Sequence, residues 1–110
     1  MPTTYKNAQL QGTAAVGTYG TLYSTDGSTT AVLSTISICN TSASSITYRI
    51  AIMGSAGTPS AENWIVSDAI VAGKNTAFIT AGITLGNTQF LRVSSSGTDL
   101  AFSVFISEIT

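Results

Sequence analysis

Asp99-Leu100-Ala101-Phe102-Ser103-Val104-Phe105-Ile106-Ser107-Glu108-Ile109 is the stretch on which the fold turns. Leu100, Phe102, Val104 and Ile106 recur at every second position, the spacing that sets alternate side chains of an extended strand on one face. Between them stand mostly small or hydroxylated residues, so the segment reads as a strand with one apolar face, paired deep in a sheet.

The same period runs back through the chain. Ile46-Thr47-Tyr48-Arg49-Ile50-Ala51-Ile52-Met53 places Ile46, Tyr48, Ile50 and Ile52 on one face and Thr47, Arg49, Ala51 and Met53 on the other. From Ala31 to Asn40, Val32, Ile36 and Ile38 are assigned to one face and Leu33, Thr35, Ser37 and Cys39 to the opposite one. Thr21-Leu22-Tyr23-Ser24, Thr76 to Thr80 and Gln89-Phe90-Leu91-Arg92-Val93 are shorter strands. Asn63 to Val71 is one kinked strand or two short ones around Asp68. Asp26-Gly27-Ser28, Thr41 to Ser45, Gly57-Thr58-Pro59, Gly73-Lys74-Asn75 and Gly82 to Asn87 divide these runs as turns or loops. The fold class is therefore all-β: an antiparallel β-sandwich of seven to eight short strands, immunoglobulin-like or jelly-roll. No Cys-Trp-Cys signature is present, so an immunoglobulin likeness would be one of topology.

Residues 1–20 are small and punctuated by Gly12, Gly17 and Gly20, with too few large apolar side chains to supply a core face. They read as an extended N-terminal arm, and residues 21–110 as the sandwich domain. Tyr5 and Tyr19 lie in this arm. Aromatic anchors on such a segment keep their contacts only when something receives them, so both are candidate inter-subunit contacts. Lys6, Leu33, Arg49 and Met53 complete that candidate set, with Leu33, Ala51 and Met53 as a second apolar face for a neighbour to bury. Tyr48 and Trp64 share strand positions with Ile and Val, which favours core packing. Arg49 and Arg92 sit opposite large apolar groups, where solvent and an ion pair with a neighbour are both open.

Composition removes most chemistry. The 110 residues contain no histidine, one cysteine and 8 % charged residues, where soluble domains carry about 25 %. Ser and Thr stand where charge usually does. Without His the usual nucleophilic triad is impossible, and neither Lys6 nor Lys74 lies in a Ser-Lys motif. Asp26 and Asp99 belong to turn signals, where Asp caps its own backbone, and Glu62 follows Pro59 in a polar loop. The carboxylates lack calcium-loop spacing, and thiolate and imidazole ligands are missing, so no metal and no cofactor is expected. Gly17 to Gly20 has neither the preceding strand nor the following Lys-Ser/Thr of a phosphate loop. Cys39 has no disulfide partner and reads as a small buried hydrophobe. Asn40-Thr41-Ser42 fits the glycosylation pattern, a match that arises by chance in a Ser/Thr-rich chain.

A net charge of −1 gives no basic footprint for nucleic acid and no polybasic patch for a membrane. No run approaches a membrane span, and Met1-Pro2-Thr3-Thr4-Tyr5-Lys6 lacks the apolar segment of a signal peptide, so the chain reads as made and used without export. So little charge also leaves little self-repulsion, which favours a homo-oligomer.

Met1-Pro2-Thr3-Thr4-Tyr5-Lys6, the Leu22-Tyr23 strand, Val32 through Cys39-Asn40 with its Ser/Thr turn, Tyr48-Arg49-Ile50, and Leu100-Ala101-Phe102-Ser103 to Ser107-Glu108-Ile109-Thr110 together resemble small all-β virion proteins of tailed bacteriophages. The likeness spans nearly the whole chain and rests on strand patterns and a stereotyped terminus. The family has a Pro-containing segment after its Leu-Tyr pair, where this chain has Ser24-Thr25-Asp26-Gly27. The resemblance implies a non-enzymatic subunit present in many copies on the virion and assembled in the host cytoplasm. Its partners would be the major capsid protein or other virion proteins, as a capsid decoration (cement) protein or as a neck or tail accessory. A carbohydrate-binding or adhesin-like module is the alternative from another class, and an enzyme using carboxylates a remote third.

Overall fold

The computed structural model describes residues 3–80 and 82–110. Among the described residues nine strands are present: β1 (Thr3–Gln11), β2 (Gly20–Ser24), β3 (Thr30–Asn40), β4 (Ile46–Met53), β5 (Trp64–Val71), β6 (Thr76–Ile79), β7 (Ile83–Leu85), β8 (Phe90–Ser95) and β9 (Leu100–Ile109). A 3-10 turn at Ala61–Asn63 precedes β5. Every pairing is antiparallel.

One sheet, sheet A, has the order β1-β9-β3-β6 with β7 also on β3; the other, sheet B, has the order β2-β8-β4-β5. β6 and β7 lie end to end along the same strand, opposite Ile36–Cys39 and Ala31–Leu33. Counted as one position, they give eight positions ordered 1-8-3-6 over 2-7-4-5, which is the jelly-roll arrangement. An immunoglobulin-type sheet would pair the first strand with the second; here the first strand pairs with the last. Two strands exceed the sequence expectation, β1 within the presumed arm and β7 within the presumed 82–87 loop.

The core lies between the sheets. Leu100, Phe102, Val104 and Ile106 of β9 are at most 4 % exposed, the inward face read from the alternation. Phe102 meets Tyr48 of the opposite sheet edge-on, ring centroids 6.3 Å apart, a geometry the aromatic quadrupoles favour.

β3 departs from the simple alternation. A register shift between Leu33 and Thr35 inserts one extra residue against β9, and a bulge of this kind exchanges the two faces of everything beyond it. Leu33 thereby joins Ile36 and Ile38 in the core, while Val32 turns outward with Ser37 and Cys39. A similar shift between Thr21 and Tyr23 lets both Leu22 and Tyr23 be buried. Asp68 takes φ 55° within β5, which is one kinked strand.

Residues 3–11 run as an edge strand along β9, in register from Thr3 opposite Ile109 to Gln11 opposite Ala101; Met1 and Pro2 fall outside the described residues. The absence of large apolar side chains is no obstacle, because the ladder uses backbone groups. Ala8 and Leu10 are half-buried against the core. The crossing to sheet B is pinned: Thr13 N donates to Ser95 Oγ at 2.8 Å, and Ser95 N donates to Thr13 Oγ1 at 2.8 Å.

Asn40 ties the far end. Its amide is buried, donates to the carbonyls of Ser44 (2.8 Å) and Val71 (3.0 Å), and accepts from Ser42 N (2.9 Å) and Ser42 Oγ (2.9 Å). An amide so engaged is closed to glycosylation. Gly73 is required beside it, since a Cβ there would stand 2.3 Å from the Ala43 carbonyl oxygen.

Candidate interaction surface

The two outer faces of the sandwich differ in charge. Arg49, Asp68 and Arg92 belong to sheet B, and Glu62 to the 3-10 turn before it. Asp26, Lys74 and Asp99 lie in connections between strands. Lys6 and Glu108 occupy β1 and β9 at the parity opposite to the outward-facing residues. None of the nine charged residues stands on the outer face of sheet A.

That face is built from cross-strand rows. Gln9, Ser103, Ser37 and Phe78 form one, Asn7, Phe105 and Thr35 the next, and Tyr5, Ser107, Val32 and Thr84 a third. Tyr5 is 80 % exposed, Phe78 66 % and Phe105 44 %. Hydroxyls and amides surround these apolar groups, so a partner can be received without desolvating any ion. Cys39 stands on the same face, half-buried and unpaired with another cysteine; it is not a core residue.

Around Arg49 sheet B is covered by its own chain, while Ile70 at the far end of β5 stays 68 % exposed. The rings of Tyr19 and Trp64 meet at a 42° tilt with centroids 5.9 Å apart, and the Arg49 guanidinium lies 5.3 Å from the Trp64 centroid. Arg49 Nε donates to Asp68 Oδ1 at 2.6 Å and Nη2 to Asp68 Oδ2 at 2.9 Å, a two-pronged pair. Asp68 has a left-handed backbone at this position. Hydrogen bonding to Asp68 raises the Arg49 pKa above its usual value, and hydrogen bonding to Arg49 lowers that of Asp68. Beneath, Ala51 is fully buried between Arg92 and Trp64 in the ladder. Ser94 Oγ and Arg92 Nε are buried with no hydrogen-bond partner among the described residues.

The six candidate contacts thus separate. Tyr5 stands open on sheet A. Lys6 turns to its own chain, 3.2 Å from Glu108 Oε2 and 5.8 Å from the centre of the Tyr23 ring. Tyr19 and Arg49 are engaged with Trp64 and Asp68. Leu33 is 1 % exposed and belongs to the core, the bulge having reversed its face. Met53 is 8 % exposed, so with Ala51 and Leu33 buried the second apolar face does not exist as a surface. Trp64 is half-buried on the outside of sheet B, whereas Tyr48 is in the core.

Two recesses indent the surface. A groove of about 340 Å³ between β1 and β9 is lined by Gln9, Leu10, Gln11 and Leu100 to Ser103, with no ionisable group. A polar cleft of about 290 Å³ is lined by Lys6, Ser24, Thr25, Asp26, Thr29 and Glu108. Its carboxylates are occupied: Asp26 accepts from Ser28 N and Ser28 Oγ, bonds that lower its pKa, and Glu108 accepts from the Tyr23 hydroxyl and pairs with Lys6. Burial, and then the Glu108 hydrogen bond, raises the Tyr23 pKa above the usual phenol range. Among the described residues no three His, Cys, Asp or Glu side chains are grouped to hold a metal, and no helix is long and apolar enough to cross a membrane.

No protein-family model and no curated protein matches the sequence. Among solved structures, a chain in the structure of infectious bursal disease virus Gx strain is similar, with a TM-score of 0.53 and 14 % identity over 98 % of this chain and 32 % of that one. A chain in the Gt strain structure has a TM-score of 0.48 and 12 % identity over 98 % and 33 %. The chain spans about a third of the length of these two viral chains; at this identity the Gx likeness is one of fold.

Proposed function

We propose that this chain is a non-enzymatic structural subunit of a virion, held among neighbouring subunits, and specifically a capsid decoration (cement) protein of a tailed bacteriophage. The observation that carries the reading is the jelly-roll order of the sheets combined with an outer face of sheet A that bears no charge. Jelly rolls serve as viral capsid and lectin domains, and fold alone does not choose between them. The Gx strain likeness supports the viral side. The engaged carboxylates of the polar cleft and the absence of histidine support a role without catalysis. Immunogold electron microscopy of intact particles tests the location. Label over the head supports the cement reading. Label confined to neck or tail replaces it with an accessory role, and no label on antibody-competent particles removes the virion reading.

One observation favours a second reading. The half-buried Trp64, packed at a tilt against Tyr19 on the sheet that also carries Arg92 Nε and Ser94 Oγ, which have no hydrogen-bond partner among the described residues, has the aromatic and polar character of a glycan platform. Titration of Trp64 fluorescence with glycans decides it: saturable quenching supports a carbohydrate-binding module, and an unchanged spectrum removes it.

A further inference from the structure

Three of the four edges of this sandwich carry a feature that blocks pairing with another strand. β2 is five residues long and broken by a register shift; β5 is bulged, with Asp68 at its kink; β6 and β7 are four and three residues with a break between them. Short, bulged and charged edges are the devices by which sheets avoid edge-to-edge association. β1 has none of them. Its nine residues keep one uninterrupted register, contain no proline, and include one charge, Lys6, which is drawn back to Glu108. Among the described residues its backbone bonds only to β9, so roughly half of its N–H and C=O groups point away from the sheet.

We infer that β1 is an assembly edge whose occupant is the β1 strand of a second copy, paired antiparallel about a two-fold axis at Asn7. This register uses the whole strand and sets Tyr5 opposite Gln9, Thr3 opposite Gln11 and Asn7 opposite its own copy. It sets Lys6 opposite Ala8, so the two ammonium groups do not face each other, whereas a shift of the centre to Lys6 would oppose them directly. A two-fold axis normal to the sheet is isologous and closed. It joins two copies of sheet A and leaves both uncharged faces on the same side, doubling that surface. The inference stands on the sheet edge alone and does not require the virion reading.

The test is cysteine crosslinking of the whole chain in a Cys39→Ser background, with sedimentation of the unmodified chain over a concentration series. Facing Cα atoms in an antiparallel pair lie about 4.5–5.5 Å apart, within disulfide range. Asn7→Cys is therefore expected to yield a covalent dimer on mild oxidation, while Phe105→Cys, exposed on the neighbouring strand, stays monomeric. The register is checked by charge: Tyr5→Glu with Gln9→Lys keeps the dimer peak, and Tyr5→Glu with Gln9→Glu loses it. All these positions are exposed or half-exposed, and an unchanged melting temperature certifies each variant as folded. Crosslinking at Phe105 but not at Asn7 would overturn the proposal in favour of face-to-face packing. A monomer at every concentration with no Asn7 crosslink would overturn it in favour of an edge that receives a different protein. Neither result would bear on immunogold labelling, so the two readings fail separately.

Discussion

The outer faces of sheets A and B are made by the same kind of strand and end in opposite conditions. On sheet B, Tyr19 and Trp64 close over Arg49, Asp68 pairs with it, and Ala51 is fully buried although its side chain points away from the core. On sheet A, Phe78 and Phe105 stand open among hydroxyls with no charge in their rows. The chain supplies a cover around Arg49 on sheet B, leaving Ile70 exposed beyond it, and supplies none on sheet A. An uncovered face without ions costs little to bring against a neighbour, because no charge loses its water. The difference therefore separates residues that hold the fold from residues left open to a neighbour.

Substitutions sharpen this contrast. The largest loss should come from beneath both faces: Phe102→Ala, fully buried and in contact with Tyr48, is expected to cost about 3–5 kcal/mol in denaturant unfolding. On the covered face, Trp64→Ala removes a half-buried ring together with its contacts to Tyr19 and Arg49, for about 2 kcal/mol. On the open face, Phe105→Ser is expected to stay within about 0.5 kcal/mol of the parent while altering association. Comparable losses for Trp64→Ala and Phe105→Ser would erase the distinction.

Two pH limbs probe finer contacts. The Tyr23 phenol has a folded pKa above its ordinary 10.0, so its contribution is complete below about pH 10 and is lost as pH rises through the folded value. Alkaline unfolding should therefore steepen above pH 10, and Tyr23→Phe should flatten that limb. Asp68 has a folded pKa below its ordinary 3.8. Its contribution is present above that value and is lost as pH falls through the lower, folded one, so Asp68→Asn should flatten the acid limb below about pH 4. That effect is the smallest, since the pair is exposed and screened.

The strands whose apolar residues alternate without interruption were legible in the sequence. β9 and β4 present the predicted core faces, and Asp68 marks the expected kink in β5. The failures have one physical origin each. A single extra residue at Ser34 reverses the faces on either side of it, so Leu33 and Val32 exchange places; composition carries no sign of a bulge in Val32-Leu33-Ser34-Thr35-Ile36. β1 escaped notice because an edge strand held by backbone bonds needs no apolar period, and β7 because three residues show none. Trp64 sits at an apolar position, yet its cover comes from Tyr19, far away in sequence. The absence of charge from the outer face of sheet A was visible only as a low total, since register decides where nine charges fall.

Hydrogen–deuterium exchange of the isolated chain, read peptide by peptide at rising protein concentration, tests the central claim most directly. The account predicts that protection grows in residues 3–11, where about half the amides face outward, while Trp64–Val71 of sheet B is unchanged. Protection growing over Trp64–Val71 with β1 unaffected would contradict it.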